Sequence, residues 1–490
     1  MGVYNLGSGR MVCWDDFLID QNVNTEIIMH KPEKREKVFE CDASWEGNNC
    51  GYMSVVKCLD EYRLYYRVCN IVYHANGEST YDAQGICLAV SKDGIHFKRA
   101  GINKYISDGI TKNNIILNQG RDNFSVIYDE NPACPPDERF KALSMGGGDG
   151  INKTVDGETG LYLFVSENGI DFRLKRRLPI PGSFDSYNLV VWDNTTKQYF
   201  IYTRGEHTIG DGEAEFDVVK KARSIFREIR VTTTKDFESF EYHGELDYGK
   251  DNIPLQLYTN QVHRYRRADD MFIGFPARYI DRWEDAENFE QMPLAERHAY
   301  LTKFWGREGT AISDCAIMTS RDGIRFNKWD EAYLTPGIEE IDNWWYGNCY
   351  MVYGLHEIPS QTEGAPDELC FYMPDKYRIK SVEVYRYTTR LDGFFSWYAK
   401  YRGGEILTKP FIFAGDELEV NFASSALGDM VITVCDSDGN GLEGYKSIKL
   451  FGDSVKRKVG FAKALSELAG KPVRLRIALR DCHLYSFKFN

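Results

Sequence analysis

"SRDGIRFNKW", residues 320–329, ends one β-rich run, turns on Asp-Gly and begins another. The chain carries the same phrase at 91–99 ("SKDGIHFKR") and at 166–174 ("SENGIDFRL"). Asp-Gly or Asn-Gly between β-rich runs is the strongest short hairpin signal, because a type I′ turn needs positive φ at both central residues. The aromatic four places after the Asp or Asn (Phe97, Phe172, Phe326) is expected to return into a core from the outgoing strand. Two weaker copies complete the set. "TTKDFESFEY" (233–242) keeps Asp236 and Phe240 but loses the glycine, and "TTRLDGFFSW" (388–397) keeps Asp392 and Gly393 but puts Ser396 and Trp397 where the Phe should stand. Counted from Asp93, Asn168, Asp236, Asp322 and Asp392, the turns recur after 75, 68, 86 and 70 residues.

One supersecondary unit per period is the mark of a repeat architecture. Each period holds about four strand-like runs. The first has "GYMSVVKC" (51–58), "YRLYYRVC" (62–69), "GICLAVSK" (85–92) and "HFKRA"; the third has "NLVVWD" (188–193), "YFIYTR" (199–204) and "REIRVTTT" (227–234). Five such four-stranded units bury their faces best by radial packing, which predicts an all-β, five-bladed β-propeller over residues 1–402. "GRMVCWDDFLID" (9–20) is the candidate strand for closing the ring. From 403 onward the runs "ELEVNFAS" (417–424), "DMVITVCDS" (429–437), "YKSIKLFG" (445–452) and "PVRLRIALRD" (472–481) lack the blade phrase, so 403–490 reads as a C-terminal β-sandwich. Within it, "CDSDGNGLEG" (435–444) superficially resembles an EF-hand loop but lacks flanking helices and the closing Glu.

Composition limits the function classes. With 60 basic against 73 acidic residues the net charge is −13, and no Lys/Arg stripe is present, which argues against nucleic acid. No run of 18 apolar residues suggests a transmembrane helix, and the start "MGVYNLGSGRMVCW" has no secretory pattern, so a cytoplasmic protein is expected. The 12 cysteines form no CxxC pair and read as buried thiols. Nine histidines without ligand spacing give no ground for a metal or a cofactor. A homo-oligomer is compatible with all of this.

In a propeller the inner strands converge on a central channel, so chemistry is expected where they begin. "SWEGNNCGY" puts Glu46 there in blade I, "QGRDNFSV" Asp122 in blade II and "GSFDSYNL" Asp185 in blade III. Blade IV offers Asn260 in "LYTNQVHR", and blade V offers Trp344 and Trp345 in "DNWWYGNC". Second strands run back to the same end with Arg67, with Arg204 and Glu206, and with Arg278 and Asp281; third strands begin there with Arg230 or Arg227 beside Glu228, and with Asp314. Paired carboxylates across a pocket are the equipment of glycoside hydrolysis, one as acid and one as nucleophile or base, and aromatic rings suit sugar faces. The expected catalytic set is Glu46, Asp122, Asp185 and Glu206, with Arg67, Arg204, Asn260, Arg278, Asp314, Trp344 and Trp345 binding a carbohydrate. A non-catalytic binding or scaffold propeller is the competing class.

Five blades, inner-strand acids and a trailing sandwich resemble the five-bladed glycoside hydrolases of families 32, 43, 68 and 117. "WEG…GY…YRLYYR", "DNF…YDENP…PPDERFKAL" and "FDSYNLVVWD" are similar to stretches of family-32-like bacterial proteins. The resemblance implies a glycosidase, with fructosyl or arabinofuranosyl substrates by analogy. The WMNDPN and RDP motifs of family 32 do not occur; "RDN" at 121–123 stands nearest to RDP, and the acids carry over by blade position. The turn also resembles the sialidase Asp-box, except that here Gly follows Asp directly.

Overall fold

The computed structural model describes residues 3–490 apart from 75–77, 108, 119–121, 147–159, 211–224, 250–251 and 306. Five antiparallel sheets of the expected kind form the propeller. Blade I is built on Gly51–Cys58, Glu61–Tyr73 and Ser79–Ser91, blade II on Asp122–Tyr128, Phe140–Gly146, Gly160–Ser166 and Arg173–Leu178. Blade III runs Leu189–Asp193, Gln198–His207, Phe226–Thr234, Phe240–Glu245. Blade IV has short strands around Phe272–Gly274 and Met318–Ser320, and a second hairpin, Ala277–Asp281 with Ala311–Cys315, continues it. Blade V is His356–Ile358, Glu368–Asp375 and Val382–Arg390, with Glu33–Cys41 as its outer strand.

That last pairing corrects the expected ring closure. Residues 9–20 do not close the propeller: Arg10–Val12 pairs with the C-terminal strand Pro472–Phe489, and Glu33–Cys41 completes blade V instead. The first five residues of Glu33–Cys41 are exposed and all five are charged, as suits an outer edge that must not pair further. Polarity of that kind hides a strand from a hydrophobic-pattern reading.

The inner strands are stitched into a ring by polar contacts. Val55 N–H donates to Tyr353 O at 2.7 Å, Val126 N–H to Ser54 Oγ at 3.0 Å, and Ser125 Oγ to Asn188 O. Asn260 Nδ2 donates to Tyr187 O at 2.6 Å, and Gly354 N–H to His263 Nε2 at 3.1 Å.

The repeated turn has a different geometry from the one expected and a clearer purpose. Only the residue after the Asp or Asn has positive φ: 77° at Gly94, 70° at Gly169, 60° at Phe237 and 76° at Gly323. It is therefore an Asx turn, not type I′. Asp93, Asn168, Asp236 and Asp322 each accept two backbone N–H groups on Oδ1, and the preceding Ser91, Ser166, Thr234 or Ser320 accepts one more. In three copies a tyrosine from the second strand of the preceding blade donates to the glycine carbonyl: Tyr372 to Gly94 at 2.6 Å, Tyr65 to Gly169 at 3.0 Å, Tyr202 to Gly323 at 2.8 Å. The predicted aromatics Phe97, Phe172 and Phe326 then meet those same three rings edge-on, at 5.8, 6.3 and 6.3 Å. Each turn is thus a latch between neighbouring blades. The Gly-less third copy follows a blade whose second strand, Phe140–Gly146, has no tyrosine to donate.

The fifth copy is not a blade turn. Blade V takes its outer strand from the N-terminal part of the chain, so Val382–Arg390 need not turn back, and the chain passes through Asp392 into Phe395–Ala399 of the C-terminal β unit. There Leu418–Cys435 and Pro472–Phe489 pair along most of their length over a core of Leu418, Val420, Phe422, Ile432, Leu475 and Phe487. Tyr4–Gly7, Arg10–Val12, Ile19–Val23 and Thr25–Met29 join the same system of eleven strands. Strand pairing thus brings residues from before 30 and from 395 onward together with 403–490. All twelve cysteines are buried free thiols. Among the described residues no helix is long and apolar enough to cross a membrane.

Candidate active site

Four of the five blades begin their inner strand with a non-glycine residue in the left-handed region: Tyr52 (φ 48°), Asn123 (55°), Gln261 (36°) and Cys349 (60°). Strand register also breaks there, between Gly51 and Ser54 in blade I and between Asp122 and Ser125 in blade II. Such backbone carries a cost of about 1–3 kcal/mol per residue and gathers where side chains must be re-aimed at a site. The mouth at this end of the channel is where the molecule spends it.

Tyrosines line that mouth. The hydroxyls of Tyr52 and Tyr258 meet at 3.3 Å, Tyr346 donates to Tyr258 at 3.4 Å, and Tyr258 stacks with Tyr350 at 5.5 Å. Tyr187 stacks with Tyr52 at 5.9 Å and donates to Met53 O at 2.5 Å. Burial, and then the neighbouring Tyr346 and Tyr52 hydroxyls, hold the Tyr258 phenol well above its ordinary pKa, so it serves as a neutral donor. A narrow crevice of about 20 Å³ runs among Tyr52, Tyr187, Thr259, Gln261, Tyr350 and Tyr377.

Charge enters from blade III. Arg204 holds Glu206 Oε1 on one terminal nitrogen at 3.0 Å and Asp185 Oδ2 on the other at 3.6 Å, and donates to Ser183 Oγ at 2.5 Å. Asp185 is near enough to Tyr258 to act on its ionisation, which ties this cluster to the tyrosines. Arg67 lies 4.7 Å over the Tyr52 ring and donates to Tyr377 at 3.0 Å and to Asn49 Oδ1 at 3.2 Å.

The expected residues separate into groups. Asp185, Arg204 and Glu206 form one cluster; Arg67 and Asn260 stand at the channel mouth. Asp122 opens the inner strand of blade II opposite Met145, and its side chain lies outside the described residues. Glu46 is fully buried: Tyr66 and Arg99 donate to Oε1 at 2.6 and 2.9 Å, Arg99 and the Ala43 N–H to Oε2 at 2.7 and 2.9 Å. Both oxygens are thus engaged within its own blade, where Glu46 anchors its loop. Neighbours on a strand point to opposite faces; Tyr279 packs against Tyr258 and Tyr346, while Arg278 turns away to Asp314 at 2.6 Å. Arg278 and Asp314 therefore pair outside the mouth. Trp345 has no exposed surface and floors the tyrosine cluster, so it cannot offer a face to a sugar. Trp344 donates to Gly337 O at 2.8 Å beside a small apolar group of Phe289, Met292 and Ile312.

The tyrosines are what the acid-centred reading overlooks. A signal was available: "CGYMS", "DSYNL", "LYTNQ" and "NCYMV" each place a tyrosine within three residues of an inner-strand start.

No family model matches the chain, and no curated protein matches it. Solved structures do. One named "Glycoside hydrolase" is 11 % identical at a TM-score of 0.43, covering 74 % of this chain and 93 % of its own. A second, from work on glycoside hydrolases of the GH130 family of mannoside phosphorylases, is 12 % identical at 0.40, covering 73 % and 94 %. A Bombyx mori GH32 beta-fructofuranosidase is 8 % identical at 0.39, covering 94 % of both.

Proposed function

We propose that this protein is a glycoside hydrolase acting at the tyrosine-lined mouth of its propeller. The observation that supports this most is the pairing of Asp185 and Glu206 on the two ends of one guanidinium, beside rings and an unpaired amide oxygen suited to a sugar. Hydrolysis of a glycosidic bond asks for one carboxyl to protonate the leaving oxygen and another to act as nucleophile or to activate water. Glu206 is proposed as the acid and Asp122, by its position at the start of the blade II inner strand, as nucleophile or base. Asp185, sharing Arg204 with Glu206, tunes the acid. A furanoside, fructosyl or arabinofuranosyl, is favoured by the family resemblance of the sequence. Residues 403–490 are proposed as a packing or oligomerisation module, and the twelve free thiols suit a reducing, cytoplasmic compartment.

The test is reducing-sugar release from fructosides, arabinofuranosides, galactosides and uronic-acid oligosaccharides. Wild type is run beside Asp122→Asn and Glu206→Gln. Turnover that falls by about 10²–10⁴ in either variant supports the roles; a folded wild-type protein silent on every substrate sinks the reading in favour of a binding propeller.

A further inference from the structure

We infer that the substrate taken at this mouth carries an anionic group, on the furanosyl residue or on the sugar joined to it, and that Arg227 receives it. This deepens the reading above and rests on its choice of site. Arg227 stands on the third strand of blade III, in register with Glu206 on the second. Its guanidinium lies 4.6 Å from the Tyr279 ring and 5.9 Å from that of Tyr258, so it borders the mouth tyrosines. Only 7 % of the residue is exposed. Nη1 donates to Gln256 Oε1 at 2.8 Å, and Nε has no partner. Among the described residues no carboxylate lies within ion-pair distance of it.

A guanidinium removed from water recovers its hydration from anions or from a full set of acceptors. One neutral amide and two ring faces supply part of that. Arg204, one blade-III strand away, makes the contrast: it holds two carboxylates of its own chain. Arg227 keeps its fork for a carboxylate, sulfate or phosphate, which it can bind through two parallel N–H bonds. Gln261 Oε1, buried and without a partner, is an acceptor for a sugar hydroxyl beside the adjoining crevice. Since the whole chain carries −13, attraction of an anionic sugar has to come from such a local cation.

Calorimetric titration of the full-length chain tests this with D-galacturonate, D-glucuronate and galactose 6-sulfate against D-galactose and D-glucose. The expected result is at least one anionic sugar bound about 100-fold more tightly than its neutral counterpart, a preference lost in Arg227→Met. Arg227→Lys, which keeps the charge but not the fork, is expected to lose about tenfold of it and serves if the Met variant does not fold. Equal affinity for charged and neutral sugars overturns the inference, as does a preference unchanged in the folded variants. Galacturonate or glucuronate against the sulfate identifies the anion. Binding of an anionic sugar without any turnover would remove the hydrolase reading and leave this one; turnover of neutral glycosides alone would do the reverse.

Discussion

Asp322 and Asp392 stand in the same two letters, Asp-Gly, after the same kind of strand, and they do opposite work. Asp322 is at the rim of blade IV, its Oδ1 accepting the N–H groups of Ile324 and Arg325 at 2.8 and 2.7 Å. Asp392 has no exposed surface. Tyr265 and Arg267 donate to its Oδ1 at 2.6 and 2.8 Å, Ser486 and Arg10 to its Oδ2 at 2.6 and 3.2 Å, and Trp14 Nε1 to its carbonyl at 2.9 Å. One carboxylate thus binds blade IV, the N-terminal strands and the last C-terminal strand. A turn signature describes the backbone around a residue; what the side chain does depends on which elements the fold brings to it.

The largest effect is expected where that hub is broken. Asp392→Asn keeps the shape but removes the buried anion that Arg10 and Arg267 share, leaving them the more exposed Glu419 at 3.4 Å and Glu357 at 2.9 Å, a loss of about 3 kcal/mol. Urea unfolding of the two proteins measures it, and a loss below about 1 kcal/mol would mean that the hub is not electrostatic. Burial alone would push the Asp392 carboxyl up, but Arg267 and then Arg10 outweigh it and hold the pKa below the ordinary carboxylate range. Because the folded pKa is depressed, this stability is present above about pH 4 and disappears as pH falls through the folded value. The variant should show a flatter acid limb.

The latch turns come next. At Gly169 a Cβ would lie 2.5 Å from the Tyr65 hydroxyl and 2.8 Å from the Phe140 ring, while at Gly470, of similar φ, it would meet nothing within 4 Å. Gly169→Ala is expected to lose about 3 kcal/mol and Gly470→Ala about 1, the shared part being the left-handed backbone and the excess the blade contact. Equal losses would show that the turn is local and latches nothing.

Buried histidines at the far end of the channel set a smaller, pH-dependent effect. Burial first, then neighbouring charge, depresses His263 and His356 to about 3. His263 Nε2 accepts the Gly354 N–H, and His356 Nε2 bonds Val55 O at 2.9 Å, both as neutral rings. The unfolded chain takes up protons near pH 6.5 and the folded one does not, so stability is full above that pH and falls below it. Each contributes about 2 kcal/mol of loss between pH 6.5 and 5. His356→Gln should remove one share of the slope in a pH series of denaturation midpoints; an unchanged slope would assign it to other groups.

The sequence was most legible where structure is local and repeated. Ser-x-Asp-Gly with an aromatic four residues on specifies a turn within itself, so Asp93, Asn168 and Asp322 announced the blades even though the turn type differed. The outer strand Glu33–Cys41 was illegible because it is charged and exposed. The candidate site was legible only in part. Asp185, Arg204 and Glu206 share one blade and emerged together, whereas Glu46 occupies a strand-start position like theirs and only the fold reveals Arg99 and Tyr66 closing over it. Arg278 and Arg204 read alike too; which face a short strand turns inward decided between them.

The smallest expected effect is the other half of the opening pair. Asn168 already performs in blade II what Asp322 performs in blade IV: its Oδ1 accepts the N–H groups of Ile170 and Asp171, both at 2.9 Å. An amide oxygen accepts as a carboxylate oxygen does, and no arginine or lysine of the described residues pairs with Asp322. Asp322→Asn should therefore change stability by less than about 0.5 kcal/mol, against several for the same substitution at Asp392. Should the two variants instead lose comparable amounts, charge would matter at the rim as much as in the hub, and the division between a turn-capping aspartate and a hub aspartate would fall. Asp322→Ala completes the set, since it removes the acceptor itself and is expected to lose about 1 kcal/mol where the amide loses almost nothing.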